Sequence, residues 1–272
     1  MKASRRNFLI GAGVVGGGLV VGFSMRGGPG APPLRAMDGA YAPNAFLQIG
    51  PDNVMRFYCA RDEMGQGVTT GLATLIGEEL DVDPARFVVE LAGVHPAYAN
   101  PAMGGVQATG GSNSIMGHYL PLRQVGADTR QAIVLAAAAQ LGVDAREIET
   151  DDGHVLVRGE RHPYGAFVET ARTLPMPEDT PLKPASEFRY IGKEMPRIDS
   201  AEKAAGTAVF GIDVDVPDLH HAVVVRSPVA GGAVASFDAT RTRGMPGVVG
   251  VVAGAPGGAV GRGAVRPGEQ AP

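Results

Sequence analysis

Apolar and polar positions in the first half of the chain alternate in a pattern that predicts short strands and helices. Apolar runs at 46–49 and 54–59 flank a Gly-Pro-Asp-Asn turn, which predicts a β-hairpin. Apolar residues spaced three and four apart predict a helix over 68–80. A short strand is predicted at 87–91, and a long helix over 112–141.

The segments that follow add a second hairpin and a short helix. Pro121 has no amide hydrogen, so we expect it to kink or split the long helix. Residues 147–157 predict a hairpin around an Asp-Asp-Gly turn, and 164–171 predict a short helix. The adjacent acidic residues Glu78 and Glu79 are interpreted as part of a helix surface.

A proline-rich segment separates this first portion from a second one. Its prolines predict a stiff, extended linker over 173–189, which we take as the best internal boundary. Beyond it, apolar runs at 209–216, 221–225 and 247–252 predict strands. The expected fold class is therefore α+β.

In this division, a mixed α/β portion covers 44–172 and a small β-rich portion covers 190–253. The last segment, 254–272, has almost no large apolar residues and is expected to be disordered, because it cannot bury enough surface to offset its ordering entropy. A flexible terminus and out-of-frame translation of GC-rich DNA both fit this composition.

Composition and charge narrow the classes of function. The chain has 272 residues, 44% of them hydrophobic, and a net charge of −4, so no basic field favours nucleic acid. Its single cysteine, Cys59, excludes an internal disulfide and any iron–sulfur cluster built by this chain alone. The six histidines do not occur at metal-ligand spacing. An organic cofactor held by backbone groups remains compatible with the sequence.

The first 43 residues are typical of an export signal followed by a linker. Ser4-Arg5-Arg6-Asn7-Phe8-Leu9 precedes a weakly apolar, glycine-rich segment, which predicts the twin-arginine export machinery as a partner and a periplasmic location. That route carries folded proteins, and cells use it when a cofactor is inserted before export. An uncleaved signal that tethers the protein to a membrane is the alternative.

Two glycine-bearing turns, each followed by a predicted helix, are candidate ligand sites. The first contains Gly65, Gln66 and Gly67. The second contains Thr109, Gly110, Gly111 and Ser112. Glycines let backbone amides approach a ligand, and a helix N-terminus favours anions, so the turns could together hold a phosphate or a pterin edge. Helix capping by Thr69, Thr70 or Ser112 explains them equally well.

These residues resemble the molybdopterin-binding large subunit of the xanthine dehydrogenase/aldehyde oxidase family, in particular the beta subunits of its isoquinoline 1-oxidoreductase branch. The resemblance rests on Glu63-Met64-Gly65-Gln66-Gly67, the downstream Glu78-Glu79-Leu80, and Thr109-Gly110-Gly111-Ser112. The stretch from Arg197 to Val214 is similar to the start of that family's a/b hammerhead domain. The likeness covers roughly 1–253.

The resemblance implies an oxidoreductase that hydroxylates an N-heterocycle or an aldehyde with water as the oxygen source. It implies a molybdenum–molybdopterin cytosine dinucleotide as cofactor, a protein glutamate as base, and a 2Fe-2S iron–sulfur small subunit that takes the electrons. By position, Gly65, Gln66 and Gly67 match the family's Gly-Gln-Gly cofactor contact. Thr109, Gly110, Gly111 and Ser112 are carried over on a shorter match.

Family large subunits continue well beyond the hammerhead, and the later segment supplies the catalytic glutamate. We therefore assign no catalytic residue and no metal ligand to this chain. The expectation is a truncated or frameshifted N-terminal portion that is inactive alone. A non-catalytic exported accessory module that binds the iron–sulfur partner is the main alternative, and a stand-alone periplasmic binding protein is a third.

Overall fold

The computed structural model describes residues 42–226 and 228–253. The described residues divide into two compact units, with the boundary between Gly206 and Thr207. The export signal and the tail at 254–272 lie outside the described residues, so the predictions made for them stay predictions. Among the described residues, no helix is long and apolar enough to cross a membrane.

The first unit begins with a three-stranded sheet whose central strand is β2. Strand β1 (Leu47–Ile49) pairs with β2 (Met55–Cys59) in antiparallel register, as the hairpin prediction required. Helix α1 (Val68–Leu80) then connects β2 to β3 (Phe87–Leu91), which runs parallel to β2. This helical crossover confirms the predicted helix and strand, and it places the first glycine turn at the carboxyl end of β2.

Helix α2 (Ser114–Leu141) packs closely along α1. The close approach depends on Gly126, where a Cβ atom would lie 2.6 Å from the carbonyl oxygen of Ile76. Of the two outcomes expected at Pro121, the split is wrong, because α2 continues through this residue, and the kink stays a prediction. Pro121 is the eighth helical residue, and the surrounding helix tolerates the lost hydrogen bond because it is held by this packing.

A second sheet completes the first unit. Strands β4 (Glu149–Asp151) and β5 (His154–Val157) form the predicted hairpin, and β6 (Glu160–Pro163), which the sequence did not indicate, pairs with β5. The short helix predicted after it is a 3₁₀ turn followed by α3 (Val168–Thr173). Side chains from both sheets and both long helices fill one apolar core, including Phe57, Ile76, Ile133, Val155 and Tyr164.

The proline-rich segment lies against the first unit instead of standing free. Lys183 Nζ lies 2.5 Å from Asp81 Oδ1, and the backbone amides of Arg189, Tyr190 and Ile191 all donate to the carboxylate of Glu78. The division between the two units lies at 206/207 and not within 173–189. Helix α4 (Ser200–Ala205) ends the first unit.

The interpretation of Glu78 and Glu79 as a helix surface is wrong. Both side chains are 0% exposed. Glu79 accepts a hydrogen bond of 2.8 Å from Arg123 Nε and another from the amide of Lys183. Burying a carboxylate is costly unless it is paired and hydrogen-bonded, and the returning segment supplies these partners. The two glutamates therefore fasten 183–191 to the end of α1.

The second unit contains no strand among residues 207–226 and 228–253. Its helical residues are a 3₁₀ turn at Gly211–Asp213 and helix α5 (Thr240–Arg243). The prediction of strands at 209–216, 221–225 and 247–252 is therefore wrong. These segments are rich in apolar residues but do not form strands. A strand needs a neighbour for its amides and carbonyls, and no described segment pairs with them. Most of their apolar side chains are exposed, for example Val223 at 92%.

Candidate functional site

The first glycine turn occupies the short loop between β2 and α1. Gly65 and Gly67 have φ angles of 96° and 82°, which a residue with a Cβ rarely adopts. This backbone curls around the carboxylate of Glu63. Glu63 Oε1 accepts from the amides of Gly65 and Gly67 at 2.8 and 3.0 Å, and Oε2 accepts from the amide and hydroxyl of Thr69 at 3.2 and 3.0 Å. We call residues 62–67 the first loop.

The Glu63 carboxylate thus caps α1 from outside the helix. The N-cap position is Gly67, which has no side chain to contribute, so the predicted capping by Thr69 or Thr70 is wrong. Desolvation raises the pKa of Glu63, but hydrogen bonds from Gly67, Thr69 and Gly65 outweigh it and lower the pKa below its ordinary value. The amides that the sequence offered to a ligand are therefore already bound to a carboxylate of the same loop.

Gln66 also folds back on the first loop. Its Oε1 accepts from the amide of Met64 at 2.6 Å, and its Nε2 donates to the carbonyl of Asp62 at 2.8 Å. The side chain is nevertheless exposed, and a Cβ at Gly65 would meet no atom within 4 Å. The space beside Gly65 is therefore open.

The second glycine turn, residues 109–112, leaves its amides free. Gly111 and Ser112 have φ angles of 59° and 54°, so the backbone turns sharply before α2. Within the described part of the chain, the amides of Gly110, Gly111 and Ser112 form no hydrogen bond. A Cβ at Gly110 would meet nothing within 4 Å. Three unpaired donors beside open space fit a ligand rich in acceptors, such as a phosphate or a pterin edge. We call this the second loop.

Ser112 does not cap the helix as one interpretation of the sequence had it. The N-cap residue of α2 is Asn113, and its side chain makes no capping hydrogen bond. The Asn113 Oδ1 atom instead accepts from Asn100 Nδ2 at 2.8 Å, a buried contact that fixes the start of the helix. The Ser112 residue itself is exposed.

The structure brings the two loops together. The amide of Asp62 donates to Thr109 Oγ1 at 2.9 Å, and Arg61 Nη1 donates to the carbonyl of Ala108 at 2.6 Å. A Cβ at Gly71 in α1 would lie 2.9 Å from Ile115 Cδ1 in α2, so the first turns of the two helices also touch. All seven predicted cofactor contacts therefore belong to two adjoining loops.

Arg61 forms the buried support beneath the loops. Its side chain is 2% exposed and donates from Nη2 to the carbonyl of Tyr98 at 2.6 Å, with His118 Nε2 at 3.3 Å. Burial lowers the pKa of His118 to about 4, and the neighbouring guanidinium acts in the same direction. His118 is therefore neutral at physiological pH and accepts from the cation beside it.

A second arginine reaches the first loop from the end of the unit. Arg197 Nη1 donates to the carbonyl of Gly65 at 2.7 Å, and its Nη2 lies 3.2 Å from Glu63 Oε1. Asp199 accepts from Nε and Nη2 of the same guanidinium at 3.0 and 2.8 Å. The residues at 197–199 therefore belong to the surroundings of the first loop.

Sequence reasoning missed the residues that support the loops. Glu63 and Arg197 were quoted for their likeness to a family pattern but given no role, and Arg61 and His118 were not singled out. A glutamate two residues before a glycine turn is a usable signal, because a carboxylate there can reach the turn's own amides. Nothing local in the sequence indicates that Arg61 is buried or that Arg197 returns to the loop.

The described residues offer no metal site of their own. Among 42–226 and 228–253, no three histidine, cysteine, aspartate or glutamate side chains lie together in a way that could hold a metal ion. Cys59 is buried and its thiol pKa is raised to about 11, mainly by desolvation.

Comparison with known proteins places this arrangement in a family. The molybdopterin cofactor-binding domain family matches residues 2–227, which include both loops and Arg197. The beta chain of isoquinoline 1-oxidoreductase from Brevundimonas diminuta is 30% identical over an alignment that covers 91% of this chain and 36% of that protein. This chain thus spans little more than a third of that relative's length.

Two further relatives cover a similar part of the chain. Membrane-bound aldehyde dehydrogenase [pyrroloquinoline-quinone] of Gluconacetobacter polyoxogenes is 32% identical over 90% of the chain and 32% of its own length. A nicotinate dehydrogenase subunit of Pseudomonas putida is 28% identical over 76% of the chain and 18% of its own length. With most of its length matched by the family, the chain belongs to the molybdopterin cofactor-binding proteins of the xanthine dehydrogenase family.

Proposed function

We propose that this chain forms part of the cofactor site of an exported molybdenum hydroxylase that oxidises an N-heterocycle or an aldehyde. One observation carries the proposal. Within a chain of this family, Asp62 and Thr109 join two loops, and the second loop has three backbone amides that form no hydrogen bond with any described residue. The names of the relatives, which cite isoquinoline, an aldehyde dehydrogenase and nicotinate, support the substrate class.

The residues present fit a pterin dinucleotide. Its phosphate and pterin oxygens are hydrogen-bond acceptors, and the amides of Gly110, Gly111 and Ser112 are donors without partners in the described chain. The exposed Gln66 amide adds a donor and an acceptor on the first loop. The amides of Gly65 and Gly67 are bound to Glu63, and these hydrogen bonds shape the first loop.

When bound, the cofactor supplies the redox chemistry that converts a C–H bond of the substrate to C–OH with oxygen from water. This chain's residues contribute binding and orientation. Gly110 and Gly111 let the backbone approach the ligand closely. Thr109 fixes that approach by holding Asp62, and Arg61 holds the carbonyl of Ala108 one residue earlier. We assign no catalytic residue among the described residues.

Several finer features belong to the same proposal. The cofactor is the cytosine dinucleotide form, the electron acceptor is a 2Fe-2S small subunit, and the protein is exported to the periplasm by the twin-arginine machinery. Two of the relatives carry names that make them subunits, which supports an assembly of several chains. Residues 190–253 are proposed to contribute to an a/b hammerhead domain.

The cofactor proposal is tested on the full chain produced with its iron–sulfur partner in a host that makes molybdenum cofactor. We expect molybdenum, a fluorescent pterin oxidation product and cytidine monophosphate released by acid, in equal amounts. The name of the aldehyde dehydrogenase relative cites a quinone, so the same sample is assayed for pyrroloquinoline quinone. Quinone without molybdenum or pterin would contradict the proposal.

The alternative of a non-catalytic accessory module predicts a different result. Such a module would bind the iron–sulfur partner stably while carrying neither molybdenum nor pterin. Co-purification of the two chains, followed by metal analysis of the complex, separates the two functions. Iron with molybdenum supports the hydroxylase, whereas iron without molybdenum supports the accessory module.

A further inference from the structure

Arg197 connects two parts of the first unit that are far apart in sequence. Its guanidinium donates to the Gly65 carbonyl, 132 residues away, and contacts the Glu63 carboxylate in the same loop. The contact is specific, because one nitrogen faces the backbone of the glycine turn and another faces the carboxylate that holds the turn. A Cβ at Gly67 would lie 4.0 Å from Arg197 Cζ, so the guanidinium passes close to both glycines.

Asp199 and Lys203 hold the guanidinium in this position. Asp199 accepts from two nitrogens of Arg197, and Lys203 Nζ lies 2.5 Å from Asp199 Oδ2. The Asp199 carboxylate raises the pKa of Arg197, and the pKa of Asp199 is lowered by Arg197 and then by Lys203. The side chains are only partly exposed, 36% for Arg197 and 18% for Asp199. Lys203, Asp199, Arg197 and Glu63 thus form a row of alternating positive and negative side chains.

The charges of these four side chains affect the binding of an anionic ligand. Glu63 places a carboxylate at the loop that is proposed to accept an anionic cofactor, and a like charge there opposes binding. Arg197 lies 3.2 Å from that carboxylate and offsets its charge. The two acids, Glu63 and Asp199, are balanced by the two cations, Arg197 and Lys203.

We infer that Arg197 is a positioning residue of the cofactor site: it locks Glu63 onto the amides of Gly65, Gly67 and Thr69 and neutralises it. This inference deepens the proposed function and rests on it. It also assigns 197–203 to the cofactor site, although the sequence pattern had placed these residues with the second portion. Arg197 adds one hydrogen bond to the carbonyl of Gly65 and one contact with the carboxylate of Glu63.

The test compares amide hydrogen exchange in the full chain and its variants. In Arg197→Gln, we expect exchange at Gly65, Gly67 and Thr69 to accelerate about fivefold or more, since about 1 kcal/mol of hydrogen bonding is lost. Exchange at Ile76 inside α1 should not change. Arg197→Lys should restore part of the protection, because an ammonium group can still reach one acceptor and neutralise Glu63.

Arg146→Gln is the matched control. Arg146 binds Asp144 through Nε and Nη2, as Arg197 binds Asp199, but it lies at the surface and touches neither loop. It should leave exchange in both loops unchanged. Unchanged exchange at Gly65, Gly67 and Thr69 in Arg197→Gln would overturn the inference.

A second measurement keeps the inference distinct from the proposed function. In protein matured with its partner, Arg197→Gln should contain several times less pterin than Arg146→Gln. Equal pterin content in the two variants would overturn the role of Arg197 at the cofactor site. Absence of pterin from the unmodified protein would instead overturn the proposed function, while the exchange comparison would still decide whether Arg197 positions the loop.

Discussion

The backbone amide of Asp62 donates a hydrogen bond of 2.9 Å to the hydroxyl of Thr109. These residues are 47 positions apart, and each lies beside a glycine turn that precedes a long helix. This hydrogen bond joins two loops that are separate in the sequence into one candidate site. The loops differ, because Glu63 accepts from the amides of Gly65 and Gly67 in the first loop, whereas the amides of Gly110, Gly111 and Ser112 in the second loop form no hydrogen bond with any described residue.

Replacing the Glu63 carboxylate should weaken the first loop in a pH-dependent way. Glu63→Gln keeps one acceptor oxygen but loses the acceptor for Thr69, at an expected cost of about 1–2 kcal/mol at neutral pH. The folded-state pKa of Glu63 is lowered, so its stabilisation is present above the unfolded pKa of about 4.3 and is lost as the pH falls through the folded value.

Urea unfolding at several pH values between 7 and 3 checks this prediction. The difference between the unmodified protein and Glu63→Gln should be largest near neutrality and shrink toward pH 3. Thr150→Val, which removes a hydroxyl partner of Asp81 on the far side of the unit, is a control for general effects of lost hydrogen bonds. A difference that stays constant with pH would contradict the assigned role of the carboxylate.

Removing the buried Glu78 carboxylate should release the proline-rich segment. Glu78→Ala leaves the amides of Arg189, Tyr190 and Ile191 without their acceptor, at an expected cost of about 3 kcal/mol. Limited trypsin digestion should then cut after Arg189 faster than in the unmodified protein. Glu160→Ala, at an exposed position, is the control, and equal cleavage rates in the two variants would contradict the account.

The sequence predicts well those elements whose pattern is local. The predicted boundaries of Val68–Leu80 and Phe87–Leu91 agree with the structure, because the apolar positions that define each element lie close together in sequence. The burial of Glu78 and Glu79 was not predicted, because it depends on a contact that is distant in sequence. Two acidic neighbours look like a surface until a segment about 100 residues later returns to cover them.

In the candidate site, too, the sequence indicates local features but not contacts between distant residues. Glycine turns before helices are visible in sequence, so Gly65, Gly67, Gly110 and Gly111 could be selected. Whether their amides are free depends on which side chain reaches them, and Glu63 and Arg197 decide that through three-dimensional contacts. The predicted strands of the second unit failed because strand formation requires a partner, which an apolar run alone does not specify.

Acid should destabilise the support beneath the loops through His118. Burial lowers the folded-state pKa of His118 to about 4, whereas an unfolded histidine titrates near 6.5, so the unfolded state binds more protons between these values. Stability is therefore lost as the pH falls from about 6.5 to 4, by about 3 kcal/mol in total. His118→Gln should remove that part of the pH dependence.

The measurement is the free energy of unfolding at pH 7 and pH 4.5 in both proteins. The unmodified protein should lose more stability between the two values than His118→Gln does. His154→Gln, which alters a partly buried histidine in the second sheet, is the control and should lose as much as the unmodified protein. Equal losses in all three proteins would contradict the pairing of neutral His118 with Arg61.

The most direct test of the central claim, that the second loop holds the cofactor, is the pterin and molybdenum content of Gly110→Leu matured with its partner. Gly110 has no positive φ and a Cβ there meets no atom, so leucine fills the space beside the loop without disturbing the fold. Gly93→Leu, at an equally open glycine, is the matched control. We predict at least a tenfold loss of cofactor in Gly110→Leu with unchanged thermal stability, and none in Gly93→Leu. Full cofactor content in a stable Gly110→Leu protein would contradict the account.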